Sequence, residues 1–282
     1  MPAIKSTSAM PNFSPQKLAL VAAAGLAISF AVINPPLTAP LPDTRQISDM
    51  TWVEVRSAID QGYTTVIVPS GGIEQNGPHM IIGKHDYIVK YAAERIAGEL
   101  GKTLVAPVIS YVPEGAYDPP TGHMRFPGTI GVPEAAYGAI VEGIARSLKA
   151  GGFRTICFIA DHGGSQAPQA EIAKRLNAEW AGKGVRVMHV DAYYSDSAQI
   201  ERLLKQGETR AAVGEHASII DTSELMSVHP RGVDLGRLGS LSMQSTGIIG
   251  DPSRATAERG KELLEIRIRA AVQQIRAQTA TH

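Results

Sequence analysis

Cysteine is almost missing from this chain: Cys157 is the only one in 282 residues. A single thiol excludes an intramolecular disulfide and any C-x-x-C metal knuckle. It lies in the apolar run TICFIA, where a buried strand residue is expected. Net charge is missing too, with 27 basic residues against 27 acidic ones. Nothing here offers the basic field that nucleic acid needs, or an acidic tail. The nucleotide signature G-x-G-x-x-G is absent, as is the G-x-S-x-G nucleophile elbow, and Gly101-Lys102-Thr103 lacks the glycine five residues earlier that a phosphate loop requires. Dinucleotide binding and serine or cysteine nucleophiles are therefore disfavoured.

Only one stretch is long, apolar and uncharged: residues 18–33, preceded by Lys5 and Lys17 and followed by NPPLTAPLPDT. A basic start, an apolar core and a helix-breaking exit predict an export signal or an N-terminal membrane anchor. Residues 1–43 are assigned to that segment and its linker, and residues 44–282 to one domain. Its site is expected outside the cytoplasm, periplasmic or tethered to the membrane.

Within the domain, apolar strands alternate with amphipathic helices. DMTWVEVRSAIDQG predicts a helix with Trp52, Val55 and Ile59 inward; TTVIVPSG a doubly covered strand; Asp86–Leu100 a helix. A strand is expected over 104–111, then a Gly/Pro-rich loop from Pro113 to Pro133, unusually long for a compact domain. A helix follows with Ile140, Ile144 and Leu148 inward, then strand 155–161, helix 166–183, strand 185–194 and a helix near 196–206. The segment holding Glu215, His216 and Asp221 has no clear periodicity, and a long helix over 255–279 closes the chain. This order predicts an α/β fold with a largely parallel sheet.

Ligands of open α/β sheets bind beyond the carboxyl ends of the strands. The first strand there delivers Glu74, His79, His85 and Asp86; strand 155–161 runs into Asp161-His162-Gly163-Gly164-Ser165. If these strands are parallel neighbours, Glu74, His85 and His162 converge. Two imidazoles and a carboxylate suit a catalytic divalent ion, zinc, manganese or iron. The stretch EHASIIDTS (215–223) can add a fourth ligand, Asp221, or a general base. Each has a plainer reading: His162 as a turn residue, Asp86 and Asp221 as helix caps.

Four stretches together resemble the creatininase (creatinine amidohydrolase) family: Pro69 to His85, His123 with Phe126-Pro127-Gly128-Thr129, Ala160 to Ser165, and His216 to Ser223. The resemblance implies a three-layer α/β/α sandwich, a homo-oligomer, and a metal-activated water attacking a C–N bond, often in a cyclic amide. Family members commonly hold two divalent ions. Here Asn76 stands where the family has a histidine, His85 where it has a bridging aspartate, and Asp221 where it has a glutamate. One ion per chain is therefore expected, on Glu74, His85, His162 and Asp221. His216 or Glu215 is expected as general acid/base, with His123, Thr129 and Asn76 facing a small-molecule substrate, and His79 orienting a ligand. The competing expectation is an exported protein that binds a small ligand, or a non-hydrolytic metalloprotein, on the same scaffold.

Overall fold

The computed structural model describes residues 40–239 and 246–280. The expected signal or anchor lies outside these residues. Among the described residues, no helix is long and apolar enough to cross a membrane.

Four parallel strands, β1 (Thr65–Ser70), β2 (Thr103–Val105), β3 (Thr155–Ala160) and β4 (Arg186–His189), form a sheet in the order β2-β1-β3-β4. β1 and β3 are neighbours in register from Thr65↔Thr155 to Ser70↔Ala160, so the two suspected loops leave the sheet side by side.

Side chains alternate across the sheet, and each face is covered by helices. Ile67, Cys157, Ile159 and Met188 pack against α2 (Lys84–Leu100) and the C-terminal helix α8 (Ala257–Thr279). Val66, Val68, Ile156, Phe158 and Val187 face the other way, onto α1 (Trp52–Asp60), α3 (Glu134–Gly151) and α4 (Gln166–Glu179). Helices α5 (Ser197–Lys205), α6 (Arg210–Val213) and α7 (Ile219–Val228) follow β4, and Leu203, Val213, Ile219 and Leu263 form a small satellite core. The fold is the expected three-layer α/β/α sandwich. Cys157 is buried in it, and burial pushes its thiol up to about 12.

Local signals explain the boundaries. Thr51 and Glu54 form a reciprocal capping box at the start of α1. Gly152, with φ 112°, takes the left-handed position that ends α3.

Several expectations shift. The strand expected over 104–111 stops at Val105, because Pro107 offers no donor for a ladder. Ile109 rejoins through an isolated bridge to Ser70. In α3 the inner face is Tyr137, Val141 and Ala145, while Ile140 is exposed. Trp52 is also exposed, at the solvent end of α1. The stretch without clear periodicity becomes α7, which begins three residues after His216.

Candidate metal centre

Beyond β1, the chain turns through Gly71-Gly72 against the start of α2. A Cβ on Gly71 would collide with Asp86. Asp86 is not the cap of α2: the cap position is Gly83, and Asp86 sits in the first turn. Its Oδ1 accepts from the Gly72 N–H at 3.2 Å and its Oδ2 from Ser110 Oγ at 2.6 Å, pinning the loop that carries Glu74.

Glu74 is 1% exposed and lies at the centre of the site. Its two oxygens meet different surroundings. Oε2 is 3.1 Å from His123 Nε2 and 3.2 Å from His162 Nε2, and His162 Nε2 is 3.1 Å from Glu114 Oε2. Ligand atoms of Glu74, Glu114, His123 and His162 all lie within 4.8 Å of one another. Yet Glu74 Oε2 and both Glu114 oxygens are buried without a well-directed hydrogen-bond donor. Buried carboxylate oxygens left in this state are costly, and convergent ones are the acceptors a cation needs. Two carboxylates and two imidazoles fit a divalent ion such as zinc or manganese.

Burial is the largest influence on Glu114 and raises its pKa. Burial also depresses His162, but the Glu114 and Glu74 carboxylates outweigh it and lift the ring to about 9. His123 is carried by burial down to about 4, which keeps its imidazole neutral near pH 7.

On the other side, Glu74 Oε1 accepts from His85 Nε2 at 2.6 Å, and His85 Nδ1 is 2.7 Å from Asp161 Oδ2. Asp161 Oδ1 accepts from Arg267 Nη2 at 2.6 Å and from the Tyr193 hydroxyl at 3.1 Å. Arg267 Nη1 donates in turn to Glu224 Oε2 at 2.8 Å. A buried polar chain thus runs from the site through β3 to α8 and α7. Burial opposes charge on His85, as does nearby Lys84, yet Glu74 and Asp161 raise its pKa overall. The Glu74 carboxyl, penalised by its burial, is still held well below the usual range by His85, His162 and Lys84.

The groups that converge differ from those expected. Glu74 and His162 are among them. His85 is not: both its ring nitrogens are engaged by carboxylates, so it offers no lone pair to an ion. Asp221 is not either, since its Oδ1 accepts from Lys84 Nζ at 2.9 Å and its Oδ2 from the Ala217 N–H at 2.6 Å. His123, expected to face substrate, converges with Glu74 and His162, as does Glu114.

Asn76 and Thr129 do not line the cavity. Asn76 is fully buried, donating to the carbonyls of Glu74 and Ile81. Thr129 Oγ1 accepts from the Gln75 N–H at 3.2 Å. Both shape the Glu74 loop from behind. His79 faces Thr222 Oγ1 at 2.9 Å and ties the loop to α7, away from the four converging groups.

His216 stands beside them. Its Nε2 donates to the Gln75 carbonyl at 3.0 Å, which leaves the Nδ1 lone pair facing Glu74 Oε1 at 3.8 Å. Burial lowers its pKa, so the ring is neutral and able to accept a proton. The next residue, Ala217, has φ 52°, an uncommon conformation for a side chain with a Cβ. It is stabilised by the Ala217–Asp221 hydrogen bond, which fixes where His216 points. Glu215 is exposed at the cavity wall. The Gln75 side-chain amide lies 3.1 Å from His123 Nδ1 and 3.0 Å from His216 Nε2, touching both rings.

Glycines let these segments close up. A Cβ on Gly164 would run into the Pro113 carbonyl, and one on Gly131 would come within 2.9 Å of Glu114 Cβ. The cavity above holds about 990 Å³ and reaches out to Arg125, Phe126 and Ser195.

Glu114 has no periodic or spacing signature, and only the length of its loop hinted at function. Lys84 and Arg267 gave no signal either, since a lone lysine or arginine on an amphipathic helix normally faces solvent.

Residues 48–275 match the family described as Creatininase, creatinine amidohydrolase. The creatinine amidohydrolase of Pseudomonas putida is 23% identical over 251 residues, covering 82% of this chain and 95% of that protein. The mycofactocin precursor peptide peptidase of Mycolicibacterium smegmatis is 28% identical over 213 residues, 70% of this chain and 78% of that one. Among solved structures, a creatininase described with Mn superposes with a TM-score of 0.68 at 22% identity, covering 83% and 98% of the two chains. With the family matched over most of its length, this chain belongs to the creatininase family of hydrolases acting on C–N bonds.

Proposed function

We propose that the chain is a metal-dependent amidohydrolase that cleaves the C–N bond of an amide, cyclic amides included, at a single divalent ion. The observation that carries this reading is the set of orphaned, buried oxygens on Glu74 and Glu114, facing His123 and His162 inside one cavity. An ion bound there supplies Lewis acidity and lowers the pKa of a water molecule toward neutrality.

The chain's own residues do the rest. His216, neutral and with Nδ1 turned to the site, takes up a proton and returns it to the departing nitrogen. Gln75 holds His123 and His216 in a fixed relation. The donor set supports zinc or manganese. A cavity of about 990 Å³ has room for groups on both sides of the scissile bond, larger than a small ring requires. The N-terminal apolar segment supports export or membrane tethering, and the family a homo-oligomer.

The test is metal content measured together with a hydrolysis screen over cyclic amides, imides, short peptides and lactones. One zinc or manganese per chain and turnover of an amide are expected. Bound metal with no product from any of these would favour a ligand-binding protein, and no metal at all would remove the reading.

A further inference from the structure

Lys84 is a lysine in an unusual place. Its side chain is 1% exposed, in the first turn of α2, and lines the cavity. Its Nζ lies 2.9 Å from Asp221 Oδ1 and 3.9 Å from Glu74 Oε1. An ammonium taken out of water at this depth is strongly unfavourable unless carboxylates face it. Here two do, from two different elements.

The charges around Glu74 divide cleanly. Arg267 answers Asp161 and Glu224. Lys84 answers Asp221 and the Oε1 side of Glu74. What remains without a fixed cation is the Oε2 side of Glu74 together with Glu114, whose oxygens are orphaned. Two carboxylates and two imidazoles match one divalent ion, whose binding would displace the proton that the carboxylates hold on His162.

We infer that Lys84 is a built-in cation, occupying the position between Glu74 and Asp221 that a second divalent ion would otherwise take, and so limiting the site to one metal. This rests on the reading that an ion binds at Glu74, Glu114, His123 and His162. Lys84 is a positioning residue here: its ammonium holds Glu74 Oε1 and Asp221 apart and fixed, so that Oε2 alone is offered to the ion. Removing the charge would leave Asp221, whose side chain is 22% exposed, without its cation beside the Oε1 of Glu74 that His85 still holds, and a divalent ion is the natural replacement.

The experiment counts ions rather than turnover. Metal-free full-length protein is titrated with Mn²⁺ and, separately, Zn²⁺, and the bound ions per chain are read by native mass spectrometry and elemental analysis. The wild type is expected to saturate at one ion and to stay there at tenfold excess. Lys84→Ala is expected to saturate at two, and its melting temperature to rise more steeply with added ion than that of the wild type. The double variant Lys84→Ala/Asp221→Asn is expected to return to one. If Lys84→Ala fails to fold without ions, Lys84→Gln, which keeps most of the length and loses the charge, is titrated in its place, with the same two ions expected. A wild type that binds two ions overturns the inference, as does a neutral variant that still saturates at one. No ion in wild type or variant overturns the metal centre itself.

Discussion

The two oxygens of one carboxylate divide this site into unlike halves. Around Glu74 Oε1 every position is filled: His85 bonds to it, Lys84 stands near it, and the chain onward through Asp161, Arg267 and Glu224 has a partner at each step. Around Oε2 the side chains approach as closely but leave oxygens without donors. Buried polar groups elsewhere in proteins are almost always satisfied, so an unsatisfied group marks a place for something not made of protein. The Oε1 half has fixed cations, in Lys84 and Arg267; the Oε2 half has only the titratable ring of His162.

The comparison is tested most severely on the Oε2 side. His162→Ala is expected to keep the fold, lose bound metal and lower amide hydrolysis by roughly 10³-fold, several kcal/mol of transition-state stabilisation. Metal analysis and circular dichroism on the same sample check this. A variant with undiminished metal content would place the ion elsewhere.

The filled side predicts a different failure. Arg267→Met leaves Asp161 and Glu224 buried without their cation, and should cost about 3–5 kcal/mol of stability by denaturant unfolding. If unfolding is little changed, the buried chain does not brace α8 against the site.

His79 provides a control away from both halves. Burial holds its pKa at about 4, against an ordinary value of 6.5. Between those values the unfolded chain binds more protons than the folded one. Its contribution is therefore fully present above pH 6.5 and is lost as pH falls toward 4, by about 3 kcal/mol in all. The unfolding free energy of His79→Gln should accordingly fall less steeply over that window than that of the wild type.

The smallest effect is expected behind the loop. Thr129→Val removes the acceptor for the Gln75 N–H and should cost about 1–2 kcal/mol, with bound metal retained.

Much of the fold was legible in the sequence, for reasons that can be named. β1 and β3 are near-continuous apolar runs because both their faces are covered, and the two strands were expected to deliver their loops together. Glu74 and His162 could be read because each lies in the loop that leaves a strand, close to the ends of β1 at Ser70 and β3 at Ala160. His85 was misplaced for a physical reason: spacing puts an imidazole near Glu74 but cannot say whether its nitrogens face an ion or two carboxylates. That is decided by Asp161, one residue before His162, whose partner Arg267 lies 106 positions away. Glu114 was hidden because a loop has no period to betray it. Lys84 was hidden because the rule that lysines face water is right nearly everywhere else.

The glycines packed around Glu114 have a consequence for how such a protein can change. Gly131 and Gly164 leave no room for a side chain, and a Cβ on Gly122 would come within 2.7 Å of the Glu114 carbonyl. The Glu114 backbone and Cβ sit in a mould with glycine walls. Substitution at these positions would displace Glu114 before it altered specificity, so diversification of what the cavity accepts must run through its rim. Arg125, Phe126 and Ser195 line that outer cavity and form no part of the metal-binding set, which makes them the positions from which a library aimed at new amides should start.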